Sequence, residues 1–270
     1  MRRNPAIVLL LISSLGGWFA LQAQKPFREY AGNEYVDFPL PPDYQKTAEF
    51  IRGRLKYRDA GFGRRGRGRG AGSWTTDYPR SDRHFLEGVR RLTRADAKSV
   101  EQVVELDQSD DIYNWPFVYA VEVGHWDIND EEGKQLRDFI NRGGFLMVDD
   151  FHGTYEWQIF ETGLRKAFPE SEIIDLPNDH PIFHTVYDLD KRQQIPGMGS
   201  VYRGVTFEQD GYDPQWRAIV DAKGRVIVAI CANMDMGDAW EHSDNPEYPE
   251  NLASLAYRIG MDYISYDLTH

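Results

Sequence analysis

The run Asp149-Asp150-Phe151-His152-Gly153 sets two carboxylates and an imidazole directly behind an apolar stretch. Groups of these types at this spacing can serve as general base, nucleophile or metal ligand. The plainer alternative is that Asp149 or Asp150 caps the following turn while His152 bonds locally. Glu122 and His125 close the preceding apolar run, and His180 and His184 lie further along. No HxH, HExxH or facial-triad spacing occurs among them, so neither metal nor cofactor is specified. His180, standing before Pro181, also reads as part of a turn.

A second group is Trp74, Asp77 and Tyr78 with the Arg90-Arg91 pair. An aromatic face beside a carboxylate and a guanidinium suits a sugar or an acidic peptide. Equally, Trp74 and Tyr78 can cover the core while Asp77 pairs with an arginine. The sole thiol, Cys231, ends the apolar run Arg225 to Cys231 and is expected to be a small buried hydrophobe. Asn233 to Trp240 follows it with two Asp and two Met. The Gly/Arg run 61–72 lacks the Lys-Ser/Thr ending of a phosphate loop and is expected to be a flexible insertion.

Strands and helices must bring these groups together. Glu49 to Tyr57 predicts a first strand, and a helix begins near Ser81 with Phe85, Val89 and Leu92 at helical spacing. Val103 to Leu106 is a short strand, and Phe117 to Val123 reads as a buried parallel one. Asn129 with Glu132 is close to a capping box; Leu136, Phe139 and Ile140 make one apolar face, and Gly143-Gly144 end the helix. Phe145 to Asp149 is the next strand. A helix from Tyr155 to Phe168, strands at 172–176, 217–221 and 225–231, and a helix from Pro249 to Asp267 complete the pattern.

Strand, helix, strand in that order implies right-handed crossovers and a mostly parallel sheet. The expected fold is α/β, a doubly wound, flavodoxin-like three-layer sandwich. Such sheets bind ligands outside the carboxyl ends of their strands. Asp150, His152, Glu122, His125 and the Trp74-to-Tyr78 loop are all assigned to that edge.

Arg2 and Arg3, an apolar run from Ala6 to Leu21, and Gln22-Ala23-Gln24 have the layout of a secretory leader, with cleavage expected after Ala23. An uncleaved N-terminal anchor is the alternative, and membrane contact is expected only through that leader. Both place the body outside the cytoplasm, periplasmic or extracellular. Residues 1–23 are read as leader, 24–47 as an extended Pro- and Tyr-rich lead-in, and 48–270 as one α/β domain. Losing the two leader arginines takes the formal charge from -12 to -14, because residues 1–23 contain no Asp or Glu. That acidic balance argues against generic nucleic-acid or anionic-lipid binding.

Several segments together resemble a bacterial domain family of unknown function, number 4159 in its series. They are Leu55-Lys56-Tyr57, Trp74 to Pro79, Arg91-Leu92-Thr93, the strand before Gly124-His125, and Gly143-Gly144-Phe145-Leu146-Met147-Val148-Asp149-Asp150. Phe168-Pro169 and His180 to His184 extend the likeness over most of residues 48–268. The family is in turn similar to class I glutamine amidotransferase-like and trehalose-utilisation-like domains, in which the strand after the Gly-Gly helix runs into a sharp elbow. In amidotransferases the elbow carries a nucleophilic Cys; the matching position here falls at or beside Asp150. The resemblance therefore implies the fold while excluding glutaminase chemistry.

Three functional readings follow. The first is an exported domain that binds a small molecule, a carbohydrate or an envelope protein. The second is an extracytoplasmic hydrolase using Asp150 with His152 or His125, with or without a metal. The third is a structural subunit presenting an acidic surface to a membrane assembly. An enzyme requires Asp150 and at least one of His125, His152 or His180 to converge on a cleft within hydrogen-bonding reach, directly or through one water.

Overall fold

The computed structural model describes residues 26–30, 38–60 and 72–270. The expected leader and nearly all of the Gly/Arg insertion lie outside the described residues. Among those described, no helix is long and apolar enough to cross a membrane.

In chain order the elements are β1 (Arg52–Lys56), α1 (Arg80–Leu92), β2 (Gln102–Glu105), β3 (Phe117–Val121), α2 (Asp130–Asn141), β4 (Phe145–Asp149), α3 (Gly153–Ala167), β5 (Ile174–Asp175), α4 (Met198–Arg203), β6 (Gln215–Val220), β7 (Val226–Ala232), α5 (Met236–Glu241) and α6 (Glu250–Thr269). They form one seven-stranded sheet in the order β2-β1-β3-β4-β7-β6-β5. The first five strands of that order run parallel, while β6 pairs antiparallel with β7 and β5 antiparallel with β6. Thus the three-layer α/β architecture and the mostly parallel sheet are as the sequence predicts. The predicted strand at 172–176 shrinks to two residues, and the short helices α4 and α5 carry too few residues to leave a periodic signal.

Alternation along the buried strands feeds two cores. Phe145 and Met147 of β4 join Phe85, Leu86, Val89, Trp240 and Ile259 under α1, α5 and α6. Leu146 and Val148 face the other way, toward Leu136, Phe139, Ile140, Phe160 and Leu164 of α2 and α3. Successive side chains point to opposite faces, so a strand covered on both sides must be apolar at every position. The α2 terminus carries the full capping box: Asn129 Oδ1 accepts from Glu132 N, and Glu132 Oε2 accepts from Asn129 N.

From β1 the chain goes to β2 on one side and then to β3 on the other. In open α/β sheets such a reversal is where a ligand crevice is expected, here between the carboxyl ends of β1 and β3. The segments leaving β3, β4 and β7 at this edge supply Glu122, Asp150 and Asn233, and each of these residues has a left-handed backbone, with φ of 53°, 53° and 61°. Asp77, on the loop after β1, joins them at φ 60°. Non-glycine residues cost roughly 1–3 kcal/mol each in such conformations and gather where a site demands them.

Candidate functional site

Asp150 forms the elbow between β4 and α3. Its turn is locked to the loop after β7, since Asp150 N donates to Met234 O at 3.1 Å and Asn233 N to Phe151 O at 2.9 Å. The helix that follows has its first amides occupied: His152 N donates to Glu156 Oε2 at 2.6 Å, Gly153 N to Asn233 Oδ1 at 2.9 Å and Thr154 N to Asp210 Oδ1 at 2.9 Å. Gly153, at φ 72°, adopts a backbone that favours glycine, and a Cβ there would also displace the Asp210 carboxylate.

At this elbow His152 Nε2 meets Asp150 Oδ1 at 3.1 Å, and both residues are buried, at 4% and 7% exposure. The other ring nitrogen of His152, Nδ1, is buried without a hydrogen-bond partner among the described residues. Burial lifts the Asp150 carboxyl to about 8, with Glu122 adding to the rise and His152 opposing it. For His152 burial works against the charged ring, yet the Asp150 bond and charge outweigh it and raise its pKa overall. The two groups titrate as one pair.

A second carboxylate–imidazole unit adjoins the first. His125 Nε2 lies 3.1 Å from Glu122 Oε2 and 3.5 Å from Glu156 Oε1. Hydrogen bonding to Glu122, then to Glu156, raises His125 to about 10, so this ring is a standing cation at neutral pH. Glu156 joins the two units, since its other oxygen takes His152 N.

Asp77, Asp150 and Asp235 bring one carboxylate oxygen each to within 4.8 Å of one another, all three side chains buried. Burial and the charges of Asp150, Asp238 and Asp77 push Asp235 well above the usual carboxylate range. Three oxygens of this kind suit a hard cation, and without one they must share protons. Asp149 faces the opposite core, where its Oδ2 accepts from Tyr119 OH at 3.0 Å, Met236 N at 2.8 Å and Gly237 N at 3.1 Å. It anchors α5 and does not cap α3.

Asp77 reaches the site through a buried ion network absent from the sequence reading. Arg54 Nε donates to Trp74 O at 3.0 Å, its Nη2 to Thr76 O, and its Nη1 to Asp82 Oδ2 at 3.0 Å. Arg52 Nε lies 3.4 Å from Asp82 Oδ1, and its guanidinium sits 3.9 Å from the Tyr119 ring centre and 4.7 Å from that of Trp240. On strand alternation these arginines look like a solvated face, yet both are fully buried.

The remaining sequence candidates are placed elsewhere. Trp74 and Tyr78 are core residues at 5% and 0% exposure, so the Trp74-to-Tyr78 loop contributes Asp77 and no aromatic wall. Arg90 pairs with Asp43 Oδ2 at 2.7 Å and lines a surface groove with Phe38 and Pro41. His180 packs against Tyr266, whose hydroxyl accepts from Val226 N at the start of β7, the end of that strand remote from Asp235. His184 bonds Asp188 Oδ1 at 3.1 Å. Asp235 and Glu156 were not singled out from sequence; the Asp-Met pattern after Cys231 was the signal for Asp235, and Glu156 had none.

The chain belongs to the domain of unknown function family DUF4159. Its family model matches residues 54–268. No curated protein matches the chain. Asp77, Glu122, His125, Asp150, His152, Glu156 and Asp235 all fall inside the matched part of this DUF4159 domain. Its single thiol, Cys231, is wholly buried within β7 and burial drives its pKa far up. No thiol stands at the elbow.

Proposed function

We propose that this DUF4159 domain is a hydrolase whose proton-transfer centre is the Asp150–His152 pair. One observation carries the reading: a buried imidazole holds a carboxylate through Nε2 and leaves a buried Nδ1 without a hydrogen-bond partner among the described residues. Buried polar atoms are nearly always paired, so an orphan beside a perturbed carboxylate calls for an explanation, and a catalytic role is one. In the neutral ring Nε2–H donates to Asp150 and the Nδ1 lone pair is free to take a proton. A water deprotonated by Nδ1 would attack the electrophilic centre of the substrate, Asp150 would stabilise the imidazolium, and Nδ1–H would return the proton to the leaving group.

The sequence favoured a binding domain without turnover; the hydrogen-bonding reach demanded of an enzyme is met at 3.1 Å, which supports hydrolysis, and a cleft at this pair is part of the proposal. The test is a panel of p-nitrophenyl carboxylate esters, phosphate esters and glycosides assayed with wild type, His152→Gln and Asp150→Asn. Turnover by the wild type should fall roughly 100-fold or more in folded His152→Gln, the size of a lost general base. Equal rates in the two would remove His152 from the reaction.

Export is the second part of the proposal, supported by the Arg2-Arg3, apolar and Ala23 pattern. N-terminal sequencing of protein from an envelope fraction should begin at Gln24, and a start at Met1 would replace cleavage with an anchor.

A further inference from the structure

We infer that Asp238, Glu241 and His242 form a binding site for one divalent transition-metal ion of the Zn2+ class, separate from the Asp150–His152 pair. The three stand at i, i+3 and i+4 along α5 and its C-terminal cap, so one helical turn presents them on one face. One donor atom from each lies within 4.8 Å of the others.

The His242–Glu241 separation matches donors on a shared ion, and the His242–Asp238 one is about 0.2 Å longer than the range for such donors. His242 Nε2 is 3.4 Å from Glu241 Oε2 and 3.8 Å from Asp238 Oδ1, longer than the roughly 2.7–2.9 Å of a charge-assisted hydrogen bond. Donors held about 2.0–2.2 Å from a common metal stand roughly 3 to 3.6 Å apart. By contrast, the His152–Asp150 contact is already at hydrogen-bond distance, 3.1 Å.

The surroundings fix one ligand in place. Asp238 Oδ2 accepts from Met198 N at 2.6 Å and Asp238 N donates to Asp235 Oδ1 at 2.8 Å, which leaves Oδ1 as the oxygen nearer His242. Such outer contacts orient metal-binding carboxylates. Side-chain exposures of 18% for Asp238 and 19% for His242, against 2% for Glu241, leave the group open on one side to solvent and ion. An imidazole with two carboxylates selects Zn2+, Mn2+ or Fe2+ over Mg2+, which prefers oxygen and retains water.

Calorimetric titration of ZnCl2 into metal-stripped, untagged protein tests the inference. The expected result is a site that binds Zn2+ and is not displaced by millimolar Mg2+. Affinity should fall at least tenfold in His242→Ala and in Asp238→Asn and stay unchanged in Asp150→Asn. His242→Gln replaces His242→Ala if the latter fails to fold by circular dichroism. Absence of Zn2+ binding would overturn the inference. So would binding lost in Asp150→Asn but kept in His242→Ala, which would put the ion among Asp77, Asp150 and Asp235. Neither result depends on hydrolytic activity, so this site and the proposed reaction can fail independently.

Discussion

His125 shows how far a single residue can be reset by its neighbours. Between Glu122 and Glu156 its folded pKa is about 10, against an ordinary value of 6.5. A raised cation contributes stability that is complete below pH 6.5 and disappears as pH climbs through 10. The melting temperature of wild type should therefore fall from pH 6.5 to pH 10 more steeply than that of His125→Gln, measured by calorimetry at fixed ionic strength. Parallel curves would show that His125 holds no such pair. At this scale the sequence was partly legible. Asp150, His152, Glu122 and His125 were marked by position alone, because each ends a strand or opens a helix at the carboxyl edge of the sheet. Glu156 left no mark, since a glutamate on an amphipathic helix looks solvated until the helix is docked.

Among elements, β1 and α1 are joined by charge as well as by apolar packing. Asp82 on α1 pairs with both Arg52 and Arg54 of β1, with all three side chains at 0% exposure. Removing one partner of a buried ion network leaves the others uncompensated, at about 3 to 5 kcal/mol. Asp82→Asn should lose stability of that order in urea unfolding, and a loss below about 1 kcal/mol would show that the network does not hold β1 to α1. Because Arg54 also carries the carbonyls of Trp74 and Thr76, the same variant should displace Asp77. This network hid in the sequence because alternating Arg, Gly and Arg on a strand mimics an exposed face. The helices were easier. Asn129, Glu132 and Gly143-Gly144 gave the ends of α2, and the continuous apolar runs gave β3, β4 and β7. By contrast, the antiparallel β6–β7 pairing depends on a tight turn at Asp221 to Gly224 that hydrophobic period does not reveal.

For the whole molecule, the winding reversal between β1 and β3 explains why residues separated by up to 158 positions, Asp77 and Asp235, share one site. Sequence periodicity predicts the sheet and therefore the edge, yet which loops meet there depends on strand order, which only packing decides. The resulting edge concentrates carboxyl groups around a buried imidazole, and this arrangement ties the fold to the proposed reaction. The most direct test is the pH dependence of kcat/KM for the best p-nitrophenyl substrate of the panel, comparing wild type with Asp150→Asn. Since Asp150 raises the pKa of His152, the wild-type rate should climb with pH through a group above 6.5 as His152 loses its proton. Asp150→Asn should react more slowly, with its inflection moved to lower pH. An Asp150→Asn profile that superimposes on wild type, or a wild type that hydrolyses nothing in the panel, would contradict the account.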